Sequence, residues 1–109
     1  MFQNAKQIFE EKIAVKIEKE PQKAKAIGAL VVFHITGAAA SDWILDCREE
    51  PFSVKMGNAE GARVEVTMSE EDFVKMGNGE LNPQMAFLGG RLKVKGDMGL
   101  AIKLGQILV

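Results

Sequence analysis

A chain of 109 residues, 47% of them apolar, is the size of one domain with one core, large enough to fold without disulfides or metals. Its formal charge of −1, with no block of like charges, argues against a machine built to neutralise nucleic-acid phosphates. One cysteine, Cys47, excludes an internal disulfide framework and fits a reducing compartment.

The elements follow in chain order. Met1-Phe2-Gln3-Asn4-Ala5-Lys6 has no charged start before an apolar run, so no signal peptide is expected, and no apolar run reaches membrane-spanning length. A cytoplasmic protein is the expectation. Ala5, Phe9, Ile13 and Ile17 recur every four residues with Lys and Glu between them, which predicts an amphipathic helix from about Asn4 to Lys19. Pro21 disfavours helical geometry at Glu20 and sets its end, after which the chain is expected to turn toward the first strand.

Ala29 to Thr36 is short, β-branched and bounded by glycines, which predicts a strand. Asp42 to Arg48 reads as a second, with Trp43, Leu45 and Cys47 on one face and Ile44, Asp46 and Arg48 on the other. Phe52, Val54 and Met56 alternate in a third, and Val64, Val66 and Met68 in a fourth. The intervening turns, around Gly37, Glu49-Glu50-Pro51 and Gly57-Asn58, look short, so the four strands are expected to form an antiparallel meander.

Two helices follow, each signed at its start. Ser69 caps the first, with Asp72 in the capping-box position and Met68 and Phe73 in the staple positions, and Gly77 suits a left-handed stop. Asn82-Pro83 opens the second, and Gly89-Gly90 breaks it. Arg91 to Lys95 alternates as a fifth strand with a basic outer face, and Asp97 caps a terminal helix. Val-Lys-Met-Gly-Asn occurs twice, at Val54–Asn58 and Val74–Asn78, but one copy ends a strand and the other a helix, so it is read as coincidence.

Residues with chemistry assemble no active site. His34 is the only histidine, and a lone strand histidine is ordinarily satisfied or exposed. Cys47 shares a face with Trp43 and Leu45, as a buried inert thiol does. Asp46 reads as solvated or paired. Glu70, Glu71 and Asp72 complement a helix dipole, and Gly77-Asn78-Gly79 fails the context test for a dinucleotide fingerprint. No catalytic residue, metal ligand or cofactor is expected.

What stands out is the final segment, Met98 to Val109, which is apolar nearly all round. Such a helix is either deeply buried or touches something apolar beyond its own sheet. Methionines at 56, 68, 76, 85 and 98 read first as a methionine-rich core on composition, with an adaptable apolar cavity as the alternative.

Several blocks point further: Trp43-Ile44-Leu45-Asp46-Cys47-Arg48, Val64 to Phe73, Gly79-Glu80-Leu81-Asn82-Pro83-Gln84-Met85-Ala86-Phe87, and Gly90 to Ala101. In order and spacing, from about Lys25 to Leu108, they resemble the sterol carrier protein 2 family of intracellular lipid-binding domains. The resemblance implies an α+β fold over residues 1–109, a five-stranded mixed sheet covered by helices with an apolar tunnel between them. It also implies a non-enzymatic carrier of fatty acids, fatty acyl-CoA or sterols. The partners expected are thus a lipid ligand, with transient membrane contact permitted, and no nucleic acid.

The C-terminus, Gln106-Ile107-Leu108-Val109, is not the peroxisomal Ser-Lys-Leu address of many relatives. The tunnel walls are expected from Phe33, Trp43, Leu45, Phe73, Met76, Leu81, Met85, Phe87 and Leu88, and from Met98, Ala101, Ile102, Leu104, Ile107 and Leu108 of the terminal helix. Lys16, Lys23 and Lys25 are the candidate anchors for an anionic head group. The alternative is an accessory module that docks on an enzyme or presents a lipid substrate to it. An exposed apolar patch at the terminal helix without an enclosed cavity would favour that reading.

Overall fold

A computed structural model describes residues 1–108, and Val109 lies outside them. The N-terminal run is helical from Ala5 to Lys19, as its spacing predicts, but its middle is wider than an α-helix. Short α1 (Ala5–Gln7) and α2 (Ala14–Lys19) flank a π-helical stretch, Ile8–Ile13. A row spaced strictly by four drifts about 40° per step around an α-helix of 3.6 residues per turn. The wider π turn takes up that drift, so Ala5, Phe9, Ile13 and Ile17 all stay buried, with Ile8 beside them. Asn4 caps the run, its Oδ1 accepting from the Gln7 amide at 2.9 Å.

Pro21 does end the first run, but it also opens another. Helix α3 (Pro21–Ile27) starts on that proline and stops at Gly28, the arrangement that proline at the first position and glycine just past the end favour. The expectation of a simple turn toward the first strand is corrected, because a proline that ends one helix also suits the first position of the next.

The sheet contains β1 (Leu30–Thr36), β2 (Ser41–Asp46), β3 (Ser53–Met56), β4 (Val64–Ser69) and β5 (Leu92–Gly96), in the order β3-β2-β1-β4-β5. Three strands meander: β1 with β2 and β2 with β3 are antiparallel. The fourth does not join them. Strand β4 lies on the other side of β1 and runs parallel to it, with Phe33 beside Val66, and β5 then pairs antiparallel with β4. Gly57-Asn58 is not a hairpin turn. The Gly57 amide donates to the Asp42 carbonyl at 2.8 Å and the Arg63 amide to the Leu30 carbonyl at 2.9 Å. These points lie at opposite ends of the β1–β2 pair, so the connection between them travels the length of the sheet as it changes sides. Strand β1 shows its central place in being buried from Leu30 to Phe33, the near-continuous apolar run of a strand covered on both faces.

One sheet face carries Val31, Phe33, Ile35, Trp43, Leu45, Val64, Val66, Met68 and Leu92 into the core under the helices. The other presents Leu30, Val32 and Ile44, which are also buried, among His34, Asp42, Glu65, Lys93 and Lys95. Phe9 is the hub of the core. Its ring stacks on Trp43 at 4.6 Å and on Phe73 at 4.9 Å, and meets Phe33 edge-on at 5.1 Å.

Helix α4 (Glu70–Gly77) begins as its cap predicts, with the Ser69 hydroxyl accepting from the Asp72 amide at 3.2 Å and Met68 and Phe73 both buried. Gly77 has a different role from the one expected. It is helical, not left-handed; a Cβ there would come within 2.5 Å of Ile8 Cδ1, so glycine lets the N-terminal helix approach. Asn78 fastens the same junction, donating to the Phe2 carbonyl and accepting from the Phe2 amide. Helices α5 (Pro83–Leu88) and α6 (Met98–Leu108) complete the fold, and among the described residues no helix is long and apolar enough to cross a membrane.

Candidate functional site

An apolar pocket of about 520 Å³ opens between α5, α6 and the β4–β5 edge of the sheet. Local chemistry sets its walls. The Asn82 carboxamide accepts from the Gln84 and Met85 amides at 2.8 and 3.3 Å, starting α5 beside β5. Asp97 caps α6, accepting from the Leu100 amide at 3.1 Å, and its other oxygen accepts from Arg63 at 3.1 Å. These hydrogen bonds, led by that to the Leu100 amide, hold the Asp97 carboxyl below its usual range. Alternation in β4 and β5 turns Val66, Leu92 and Val94 toward the space between the two helices.

The structure gathers seven of the expected wall residues around this pocket: Phe87, Leu88, Met98, Ala101, Ile102, Leu104 and Leu108. It does not bring the others there. Phe33, Trp43, Leu45, Phe73 and Met76 pack in the core on the side of the N-terminal helix, and Ile107 is buried without lining the pocket. Leu81 is half-buried against the core, and Met85 points outward.

Val66, Pro83, Leu92, Val94 and Gly105 line the pocket without having been anticipated. The three strand residues were legible as inward-facing, but nothing in the sequence distinguished a covered inward residue from one left open. Gly105 carries a clearer sign: a Cβ placed there meets nothing within 4 Å, so this glycine leaves space in the α6 wall.

The lining is poor in polar groups. Among the described residues, Asn82 and Gln84 supply its only polar side chains, and no ionisable one takes part. The candidate anchor lysines lie elsewhere. Lys23 and Lys16 face Glu20 at 3.0 and 4.0 Å, and Lys25 reaches Glu50 at 3.2 Å; none lines the pocket. These three lysines are thus not placed to anchor a head group at this pocket: Glu20 at helical spacing engages Lys16 and Lys23, and Glu50, distant in sequence, engages Lys25.

The chemistry-bearing residues stand apart from the pocket. His34 lies on the opposite sheet face, its Nδ1 2.9 Å from Asp42 Oδ1 and its Nε2 3.0 Å from Glu65 Oε1. Hydrogen bonding to Glu65 and then Asp42 raises its pKa, since two carboxylate acceptors are satisfied together only by the imidazolium. Cys47 is buried in the helix-side core, which pushes its thiol up to about 12. Asp46 is paired, accepting from Arg48 at 2.8 and 3.0 Å, and that hydrogen bond lowers its pKa.

A model of the SCP-2 sterol transfer family matches residues 6–109. The chain belongs to this family. It is 39% identical over 95 residues to hydroxysteroid dehydrogenase-like protein 2 of Homo sapiens, a match covering 86% of this chain and 23% of that protein. The chain thus spans under a quarter of the length of that relative. Among solved structures, the sterol carrier protein domain 2 of Helicoverpa armigera superposes with a TM-score of 0.78 at 27% identity, over 94% of this chain and 83% of that one. Sterol carrier protein 2 of Yarrowia lipolytica, in its apo form, gives 0.72 at 27% identity over 88% and 84%. The α+β architecture and mixed five-stranded sheet are those of the family.

Proposed function

We propose that this chain is a non-enzymatic carrier of long-chain lipids, and that the pocket between α5, α6 and the β4–β5 edge receives the hydrocarbon part. The observation that carries the reading is an apolar cavity of about 520 Å³ in a member of a sterol transfer family. That volume falls within the roughly 300–1,000 Å³ typical of small-molecule sites. A lining with no ionisable side chain among the described residues supports binding over chemistry. Burial of an acyl chain contributes about 0.8 kcal/mol per CH₂, so a long chain reaches micromolar affinity with little help from its head group. Selectivity is then loose, because the apolar contribution counts methylenes. Fatty acids, their acyl-CoA thioesters and sterols are the ligands proposed, and an apolar tunnel is the form the pocket takes around them.

The test is displacement of a fluorescent fatty acid by competitors of decreasing chain length. Affinity is expected to fall steadily with each methylene removed; equal affinity at all lengths would replace the tunnel with a surface site for head groups.

A second reading has its own support. The match to less than a quarter of a hydroxysteroid dehydrogenase-like protein favours a module that presents a lipid to an enzyme. The apolar patch on the terminal helix points the same way, but it rims a pocket, and so the carrier reading stands first.

A further inference from the structure

Strand β3 ends the sheet, and its outer edge pairs with no strand of the fold. The bond from the Gly57 amide to the Asp42 carbonyl fixes which groups of that edge are free. Hydrogen-bonded pairs alternate along an antiparallel ladder, so Ser53 and Lys55 direct their amides and carbonyls to β2, and Val54 and Met56 turn theirs outward. Among the described residues, no other element takes up these outward groups. Beside the same edge, a groove of about 810 Å³ runs between β3 and α2. Phe52, Val54, Ala14 and Ile17 give it an apolar floor, and its only ionisable lining groups among the described residues are Glu18 and Glu50. Glu18 forms no ion pair among those residues. Glu50 meets Lys25 at 3.2 Å, with both side chains exposed, and such a pair is weak.

We propose that this edge and groove bind an extended segment of another protein, which adds a strand outside β3. Free amides and carbonyls at alternate positions recognise a backbone in the β conformation, whatever its sequence. The groove supplies the selection. Successive residues of a strand point to opposite faces, so every second side chain of the added segment enters the groove. An apolar residue there meets Phe52, Val54 and Ile17, and a lysine or arginine two positions away meets the carboxylates of Glu18 and Glu50. The segment is therefore one in which an apolar and a basic residue stand two apart. A second copy of this chain fits less well. Pairing β3 with its own symmetry mate sets Glu18 and Glu50 of both copies along one seam, and among the described residues no cation lines the groove. The proposal does not rest on the carrier reading, since groove and pocket share no residue.

The test is fluorescence anisotropy of a labelled nonapeptide in which threonine alternates with valine and lysine, beside the same peptide with glutamate in place of lysine. The lysine peptide is expected to bind, and the glutamate peptide to bind about tenfold more weakly, with the difference shrinking in high salt. Val54→Pro removes an outward amide and no bond to β2, so it should keep the fold and abolish binding. Glu18→Lys with Glu50→Lys leaves the edge intact and should reverse the preference toward the glutamate peptide, with fatty-acid binding as in the parent. That pair decides the matter if Val54→Pro does not fold. No binding of the lysine peptide by the parent, equal binding of both peptides, or binding that survives in folded Val54→Pro would overturn the proposal. A concentration-dependent dimer in sedimentation, lost in Val54→Pro, would also overturn it and give the edge to a second copy.

Discussion

The helix-covered face of the sheet is finished differently at its two ends. Under the N-terminal helix, against β1 and β2, the three rings of Phe33, Trp43 and Phe73 close around Phe9 and fill that part of the interior. Toward β5, the same face meets α5 and α6 across a pocket whose walls include valines, leucines and a glycine with space above it. Both ends are apolar, yet they differ. The rings around Phe9 are packed, and the groove on that side, beside α2 and β3, includes Glu18 and Glu50 in its lining. The pocket beside β5 is lined by apolar side chains and two carboxamides. Large flat rings at contact distance leave no void, whereas a short helix and a glycine-bearing helix set beside an edge strand do.

Phe9→Ala probes the filled end and should have the largest effect, a loss of about 3–5 kcal/mol in stability by urea unfolding. The folded fraction should bind fatty acid as the parent does. A fall in affinity with little change in stability would show that the aromatic cluster belongs to the ligand path after all.

Gly105→Leu reverses the test. Adding a side chain where nothing lies within 4 Å should fill the pocket, and replacing glycine inside a helix gains up to about 1 kcal/mol of propensity. Stability should hold or rise while fatty-acid affinity falls about tenfold or more, equivalent to roughly 1.4 kcal/mol. Unchanged affinity with a stable fold would move the ligand elsewhere.

The smallest effect belongs to the other sheet face. His34 has a raised pKa in the fold, so its contribution is complete below its ordinary value of 6.5 and fades as pH rises through the folded value. Glu65 has a lowered one, chiefly through its hydrogen bond to His34, so its contribution is present above its ordinary 4.5 and fades as pH falls through the folded value. The pair therefore stabilises most between about pH 4.5 and 6.5. In urea titrations across pH, the parent should lose stability relative to His34→Gln above that window, with fatty-acid affinity unaffected. A ligand affinity that followed the same pH profile would mean that the two faces communicate.

Much of this was legible before any coordinates. The caps at Asn82 and Asp97 were readable because a side-chain acceptor at a helix start is a local arrangement, decided within three residues. Inward-facing strand residues were readable because alternation has a fixed period. The apolar excess of the terminal helix was readable for the same reason, and the structure shows it as Leu104, Ile107 and Leu108 inside with Ile102 and Met98 outside.

The family, too, was carried by ordered blocks along the chain. By contrast, the side of β1 on which β4 lies depends on a connection that travels the sheet, and no local period encodes that. Which apolar residues touch one another and which face a void was likewise settled only in three dimensions. Phe33 and Leu88 are alike in hydrophobicity, but one lies under Phe9 and the other at an open mouth. Local patterns determine which face of an element avoids water; what covers that face is set by residues distant in sequence, as when Ile8 packs against Gly77.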